Sequence, residues 1–407
     1  MASRGFKAKP AKRDEIFVGR QAELALISRR LEEAQSGRGS FIAISGEPGI
    51  GKTTLAQAAA GAAAARGFEV FWSYCHDGQY VPPYWPWKQL LRELLKHLPG
   101  SRESSRNKVL AGALAEIVAD WHTGPAQPTA MPKPIAESAR LKILESTTSL
   151  LRIISDHRPL LLVMDNLHCA DVPSLELLEV VAREMNGQKI VIIGSHRESP
   201  AEAGGSFQRT IGALAGQSLF ESIPLSGWDL AGVEECLREC GISNPPVQLV
   251  QAVYGRTEGN PLFVMEVARL LRHKGLLDDE TRSSVQAWEI DIPQKVRLAI
   301  SGLVQRLTAP GRDALAAASL VGREFESALL REIVHEESDA LEGLLEEALA
   351  HALVEDIPEE PGRYRFTHGL IQEVLSRPAH RPTQRASACP AYVLRCASHP
   401  PHRIKAP

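Results

Sequence analysis

Residues 41–66 read FIAISGEPGIGKTTLAQAAAGAAAAR, and this stretch decides the fold. Phe41–Ser45 is a short apolar run of strand type, and Thr53–Arg66 is an alanine-rich helical stretch. Between them GEPGIGKT fits the spacing G-x-x-x-x-G-K-[ST], in which a strand delivers a tight loop onto a helix N-terminus. Gly46, Gly49 and Gly51 let the backbone curl so that several N–H groups converge on one phosphate chain. The helix beginning near Lys52 adds the positive end of its dipole. The whole loop, Gly46, Glu47, Pro48, Gly49, Ile50, Gly51, Lys52, Thr53 and Thr54, is therefore read as phosphate-binding.

Within it Lys52 is expected to reach β- and γ-phosphates as a mobile point charge, and the Thr53 hydroxyl to ligate Mg²⁺. Such a loop needs a second strand that ends in an acid on the metal side. Leu160–Met164 followed by Asp165 supplies it, so Thr53 and Asp165 are the expected metal residues and ATP with Mg²⁺ the expected ligands. The next residue is Asn166, whose amide can orient a water but cannot take its proton. Asp171 precedes Val172-Pro173-Ser174 and a helical stretch, which suits an N-cap. A further strand, Lys189–Gly194, runs into Ser195-His196-Arg197. A guanidinium there suits bidentate phosphate contact, and a solvated surface arginine fits the residues equally well.

Outward from this core, short β-rich runs at Glu69–Tyr74, Leu160–Met164, Lys189–Gly194 and Leu219–Ile223 alternate with helical stretches. That alternation predicts an α/β fold, a parallel sheet with helices on both faces. After Ser226 helical periodicity dominates, with stretches at Leu230–Cys240, Pro246–Tyr254, Pro261–Lys274 and Pro293–Leu307. A last unit, helices followed by strands at Leu353–Ile357 and Arg363–Thr367 around a turn, predicts a winged-helix-like domain. The expected organisation is a flexible basic arm over 1–13, an ATPase domain over 14–225, a helical lid over 226–307, the winged-helix-like domain over 308–377, and a disordered or aberrant tail over 378–407. That tail holds six prolines and five Lys/Arg and no acid, so nothing in it supports a packed core.

Composition narrows the class. The 407 residues exceed one small domain. Lys+Arg 46 against Asp+Glu 49 gives a formal charge of -3, so no global basic excess points to nucleic acid. Six cysteines lack any C-x-x-C pair, and no apolar run reaches membrane-spanning length, which together read as a cytoplasmic protein with reduced thiols.

Taken in order, FVGRQAEL at 17–24, GEPGIGKTT at 46–54, YVPPYWPW at 80–87, LLLVMDNLHCAD at 160–171, GSHRE at 194–198, EGNPLFVMEVARLL at 258–271 and YRFTHGLIQEVL at 364–375 resemble one family. They are similar to the STAND branch of AAA+-like ATPases, multidomain signalling proteins, and most to bacterial members that accompany LuxR-type regulators or nucleotide cyclases. The resemblance implies that Val18, Gly19 and Arg20 lie near adenine and ribose, that Pro261 touches the base, and that Arg197 senses the γ-phosphate from a strand between the loop strand and the Asp165 strand. On the residues alone, Asn260-Pro261 is an N-cap with proline at the first helical position. Where the family reads Asp-Asp and Trp, this chain has Asp165-Asn166 and Cys169. The likeness stops near Leu375, which implies a truncated or frame-shifted end.

Three functions follow as expectations. The first is a regulatory switch that hydrolyses ATP slowly, with Lys52, Asp165, Asn166 and Arg197 at the reacting end. Its partners would be ATP or ADP and other protein domains or a second copy, with no membrane and no nucleic acid through this chain alone. The second is a non-hydrolysing ATP-binding scaffold, motivated by Asn166. The third, a DNA-associated loader, needs a basic recognition helix, and Ala340–Ala352 is acidic instead.

Overall fold

A computed structural model describes residues 17–75, 82–98, 110, 112, 114, 137–197, 205–273, 294–335, 338–351, 353–357, 360 and 362–376. The arm 1–13 and the tail 378–407 lie outside them. The described residues divide into two compact units, the first ending at Ser226 and the second starting at Gly227. Among them, no helix is long and apolar enough to cross a membrane.

The first unit is an α/β layer structure. Its elements are α1 (Gln21–Gln35), β1 (Ser40–Ser45), α2 (Lys52–Ala65), β2 (Glu69–Tyr74), α3 (Trp85–Leu94), α4 (Glu137–His157), β3 (Leu160–Asp165), α5 (Val172–Arg183), β4 (Ile190–Ser195), α6 (Ser206–Ala215) and β5 (Phe220–Pro224). The five strands form one sheet in the order β2-β3-β4-β1-β5, and every pairing is parallel. Parallel strands need helical crossovers, which leave both faces covered. Alternate residues therefore enter two different cores. Phe41, Leu160, Leu162, Ile190 and Ile192 pack with Trp87, Leu150 and Leu178. Ile42, Ile44, Leu161, Val163, Val191 and Ile193 pack with Ile27, Leu31 and Leu55. Each fully buried aliphatic side chain contributes roughly 1.5–3 kcal/mol. In α2 the buried Ala56, Ala59 and Ala63 keep the helix close to the sheet and favour the helix intrinsically.

The apolar spacing alone predicts a helix over Gln89–His97, whereas α3 starts earlier, at Trp85. Asp171 accounts for the difference. It caps α5 by accepting the Ser174 N–H at 3.0 Å, and it also accepts the Tyr84 and Trp85 N–H groups at 2.9 and 3.3 Å. One carboxylate thus satisfies exposed amides at two helix starts, and Trp87 follows into the core, its indole donating to the Ser174 carbonyl at 3.0 Å. Asp171→Ala is expected to cost about 2–3 kcal/mol and Asp171→Asn clearly less, because the amide keeps one acceptor. Urea unfolding measures both; a cost for the alanine variant no larger than a single ordinary cap would contradict the shared role.

The second unit contains α7 (Leu230–Glu239), α8 (Val247–Thr257), α9 (Pro261–His273), α10 (Gln294–Val304), α11 (Ala309–Val321), β6 (Glu324–Glu326), α12 (Ser327–Val334), α13 (Ser338–Ala350), β7 (Val354–Asp356), β8 (Arg363–Phe366) and α14 (Gly369–Leu375). β6, β8 and β7 form a three-stranded antiparallel sheet in that order. One hydrophobic cluster runs from Phe263 through Ile300, Leu315 and Leu345 to Leu375. It crosses positions 307 and 308, where the sequence suggests a boundary. Side-chain links tie the same region together: Glu347 of α13 accepts the Thr308 N–H at 2.6 Å and its hydroxyl at 2.7 Å, and Glu258 accepts Arg323 at 2.6 Å.

Candidate functional site

The loop between β1 and α2 adopts the curled backbone that its glycines allow. Gly46, Gly49 and Gly51 have φ of 139°, 81° and 100°, all in the region that side chains resist. The two outer glycines serve different ends. A Cβ on Gly46 would lie 2.7 Å from the Leu225 carbonyl oxygen, so that position has no room. A Cβ on Gly51 would meet nothing within 4 Å, so the backbone there faces open space. Lys52 opens α2 and is buried, its ammonium donating to the carbonyls of Gly46 at 2.6 Å and Glu47 at 2.8 Å. Glu47, Pro48, Gly49 and Ile50 form the turn, and Thr54 follows Thr53 on α2.

Opposite the loop, Asp165 ends β3 with only 5% of its surface exposed. Its Oδ2 accepts the Thr53 hydroxyl at 3.0 Å. Its Oδ1 accepts the Ser195 hydroxyl from the end of β4. The Ser195 oxygen in turn accepts the Asn166 N–H at 3.0 Å, and Asn166 sits in the left-handed region at φ 58°. β2 adds a flank, with Tyr74 in register with Asp165 and the Cys75 N–H on the Asp165 carbonyl at 2.9 Å. Burial, and then the Asp165 charge, push the Tyr74 phenol above its ordinary range. Burial also pushes the Cys75 thiol up, in keeping with its place in the core.

Arg20 lies on a third side. Gly19 and Arg20 both take positive φ, 65° and 66°, next to the buried Val18. The Arg20 guanidinium meets Glu23 at 3.1 Å, donates to the Ile50 carbonyl at 3.4 Å, and donates to the Ser226 carbonyl. Its observed contacts hold the loop and the end of this unit. Arg197 follows β4, half-buried, two residues after Ser195. β4 does lie between β1 and β3, as the family resemblance implies. The first unit thus brings Arg20, the loop, Lys52, Thr53, Asp165 and Asn166 together. Pro261 belongs to the second unit, where it opens α9 after Asn260, whose side-chain oxygen accepts the Leu262 N–H at 3.2 Å.

The donor set fits a phosphate chain with Mg²⁺. No group of three or more His, Cys, Asp or Glu placed to hold a metal exists among the described residues. One carboxylate with one hydroxyl suits Mg²⁺, which keeps most of its ligands as water and phosphate oxygen. Ser195 and Tyr74 are the neighbours that sequence reading passed over. The only signal for Ser195 was a hydroxyl residue ending an apolar strand, a feature too common to single out.

Comparison with known proteins agrees with this geometry. Residues 16–193 match a family described as the AAA ATPase domain, which assigns this stretch to the P-loop ATPase class. Curated protein sequences give no match. Among solved structures, the chain is similar to the Walker-type ATPase PABY2304 of Pyrococcus abyssi, with 16% identity, 91% of this chain and 99% of that chain covered, and a TM-score of 0.53. That likeness is one of fold. A STAND protein with a tetratricopeptide repeat sensor, PH0952 from Pyrococcus horikoshii, matches at 16% identity over 92% of this chain and 44% of that one, with a TM-score of 0.43. Cdc6p from Pyrobaculum aerophilum matches at 12% identity over 90% and 95%, with a TM-score of 0.43.

Proposed function

We propose that this chain is an ATP-binding signalling switch that hydrolyses its nucleotide slowly. The observation that carries this reading is the juxtaposition of Lys52 and Thr53, at the start of α2, with Asp165 at 3.0 Å from the Thr53 hydroxyl. Loop amides and the α2 dipole would hold the phosphates, and Lys52 would leave the Gly46 and Glu47 carbonyls for phosphate oxygens. Thr53 and Asp165 would hold Mg²⁺, which when bound neutralises charge on the phosphates. Val18, Gly19 and Arg20 would border the base and ribose, and Arg197 would answer to the γ-phosphate. ATP against ADP would then bias conformation, with other protein domains or a second copy as the recipients of the signal.

Slow turnover follows from Asn166. A carboxylate at that position can take a proton from the attacking water, and an amide cannot. Asn166→Asp is expected to raise phosphate release about tenfold or more while leaving ATP affinity within about threefold. Phosphate release from purified protein with Mg²⁺ checks this. An unchanged rate in the variant would remove position 166 as the limiting group. ATP held tightly by both proteins with no release would favour the second reading, a non-hydrolysing scaffold.

The order helix, strand, helix, helix, strand, strand from α11 to β8 supports a winged-helix reading of that part. Its third helix, α13, exposes Asp339, Glu342 and Glu346. Acids on that face repel a phosphate backbone, so we assign the winged part to protein contacts instead of DNA.

A further inference from the structure

Ser195 carries an unassigned role at the metal side of this site. It is the last residue of β4, fully buried at 0% exposure, and its hydroxyl makes two bonds with opposite polarity. The proton goes to Asp165 Oδ1, and the oxygen accepts the Asn166 N–H at 3.0 Å. A hydroxyl has one proton to give, so these two bonds fix its direction. Donation to a carboxylate is a charge-assisted bond and holds the Asp165 side chain in one orientation, with Oδ2 left for Thr53. Acceptance from Asn166 holds the next peptide in its left-handed turn at φ 58°.

The backbone that carries Ser195 is held by its neighbours in the sheet. β4 lies inside the sheet, with Gly194 opposite Ala43 and Ser195 opposite Ile44, and the ladder continues as the His196 N–H donates to the Ile44 carbonyl at 2.9 Å. At Gly194 even a Cβ would press on the Leu167 side chain at 2.8 Å and on the Phe41 ring at 3.1 Å. The strand is therefore closely packed, and the Ser195 oxygen bonds both Asp165 and Asn166 from it.

We propose that Ser195 is a positioning residue for divalent cation binding: it orients Asp165 toward the Thr53 side and anchors the Asn166 peptide beside it. This rests on the ATP reading given above. Groups that orient metal ligands from behind typically control metal affinity by about 10- to 100-fold. A hydroxyl kept only to satisfy a buried amide would weaken nucleotide binding equally with and without the cation.

The test is titration of the full chain with N-methylanthraniloyl-ATP, first in EDTA and then across a Mg²⁺ series. In Ser195→Ala the Mg²⁺ half-point is expected to rise about tenfold, with affinity in EDTA unchanged within about twofold. Ser195→Thr, which keeps the hydroxyl, is expected to restore the unmodified half-point. If the alanine variant is insoluble, Ser195→Cys is used instead: its weak S–H donor is expected to raise the half-point while threonine does not. An unmoved half-point, or an equal loss in both buffers, overturns the role of Ser195 and leaves the ATP reading standing. Absence of nucleotide binding by the unmodified chain overturns both.

Discussion

Lys52→Ala is expected to lower ATP affinity by about 30- to 100-fold and to abolish phosphate release. The variant has no cation for the phosphate chain, and a charge-assisted contact of this kind is worth about 2–3 kcal/mol, of which each 1.4 kcal/mol is a factor of ten. The bonds from the ammonium to the Gly46 and Glu47 carbonyls at 2.6 and 2.8 Å belong to the nucleotide-free loop, so their loss adds nothing to this weakening. Lys52→Arg should recover little, because a planar guanidinium does not fit where a compact ammonium is enclosed by two carbonyls. Equilibrium titration with a fluorescent ATP analogue measures the effect. An alanine variant within threefold of the unmodified affinity would remove the loop from the nucleotide site.

Gly259→Ala is expected to be the most destabilising single methyl addition in the second unit, at about 3 kcal/mol or more. Gly259 has φ 74°, and its carbonyl accepts the Trp228 N–H at 2.8 Å, so two chain segments touch backbone to backbone. A Cβ there would lie 2.8 Å from both the Trp228 nitrogen and carbonyl carbon, and closer still to its oxygen. None of these atoms is the end of a flexible side chain, so relief requires the segments to part. Gly255→Ala provides the contrast. It sits inside α8 with nothing within 4 Å of a new Cβ, and replacing a helical glycine should stabilise by about 0.5–1 kcal/mol. Urea midpoints of the two variants should therefore move in opposite directions; a Gly259→Ala midpoint near that of the parent would refute the backbone contact.

The loop, its strand and its helix were legible because their chemistry is local. A glycine at each tight position, a lysine and a threonine at the helix start, and an acid closing an apolar strand are constraints that a window of a few residues can express. The strand boundaries differ from the sequence reading by about one residue, Asp165 and Ser195 each closing a strand that pattern alone ended one position earlier. β6 was not legible. Its three residues Glu324–Glu326 pair with Arg365, Tyr364 and Arg363 across the sheet, and no alternation over three residues can announce that. The early start of α3 was hidden for a related reason, since its cap, Asp171, lies 87 residues away from Tyr84.

By itself the sequence determined that a glycine-rich loop with Lys52 and Thr53 at its end follows a buried strand, that Asp165 closes another such strand, and that Asn166 stands beside it. Those are properties of neighbours in the chain, and backbone sterics with side-chain chemistry settle them without a fold. Only the tertiary structure decided what stands around Asp165: Thr53 from 112 residues away on one oxygen, Ser195 from the neighbouring strand on the other, and Tyr74 in register across the sheet. Strand order is set by how crossover helices bury two apolar faces at once, and that is a property of the whole unit. It put β4 between the loop strand and the Asp165 strand, and so brought a serine with no motif of its own to the carboxylate on which the site turns.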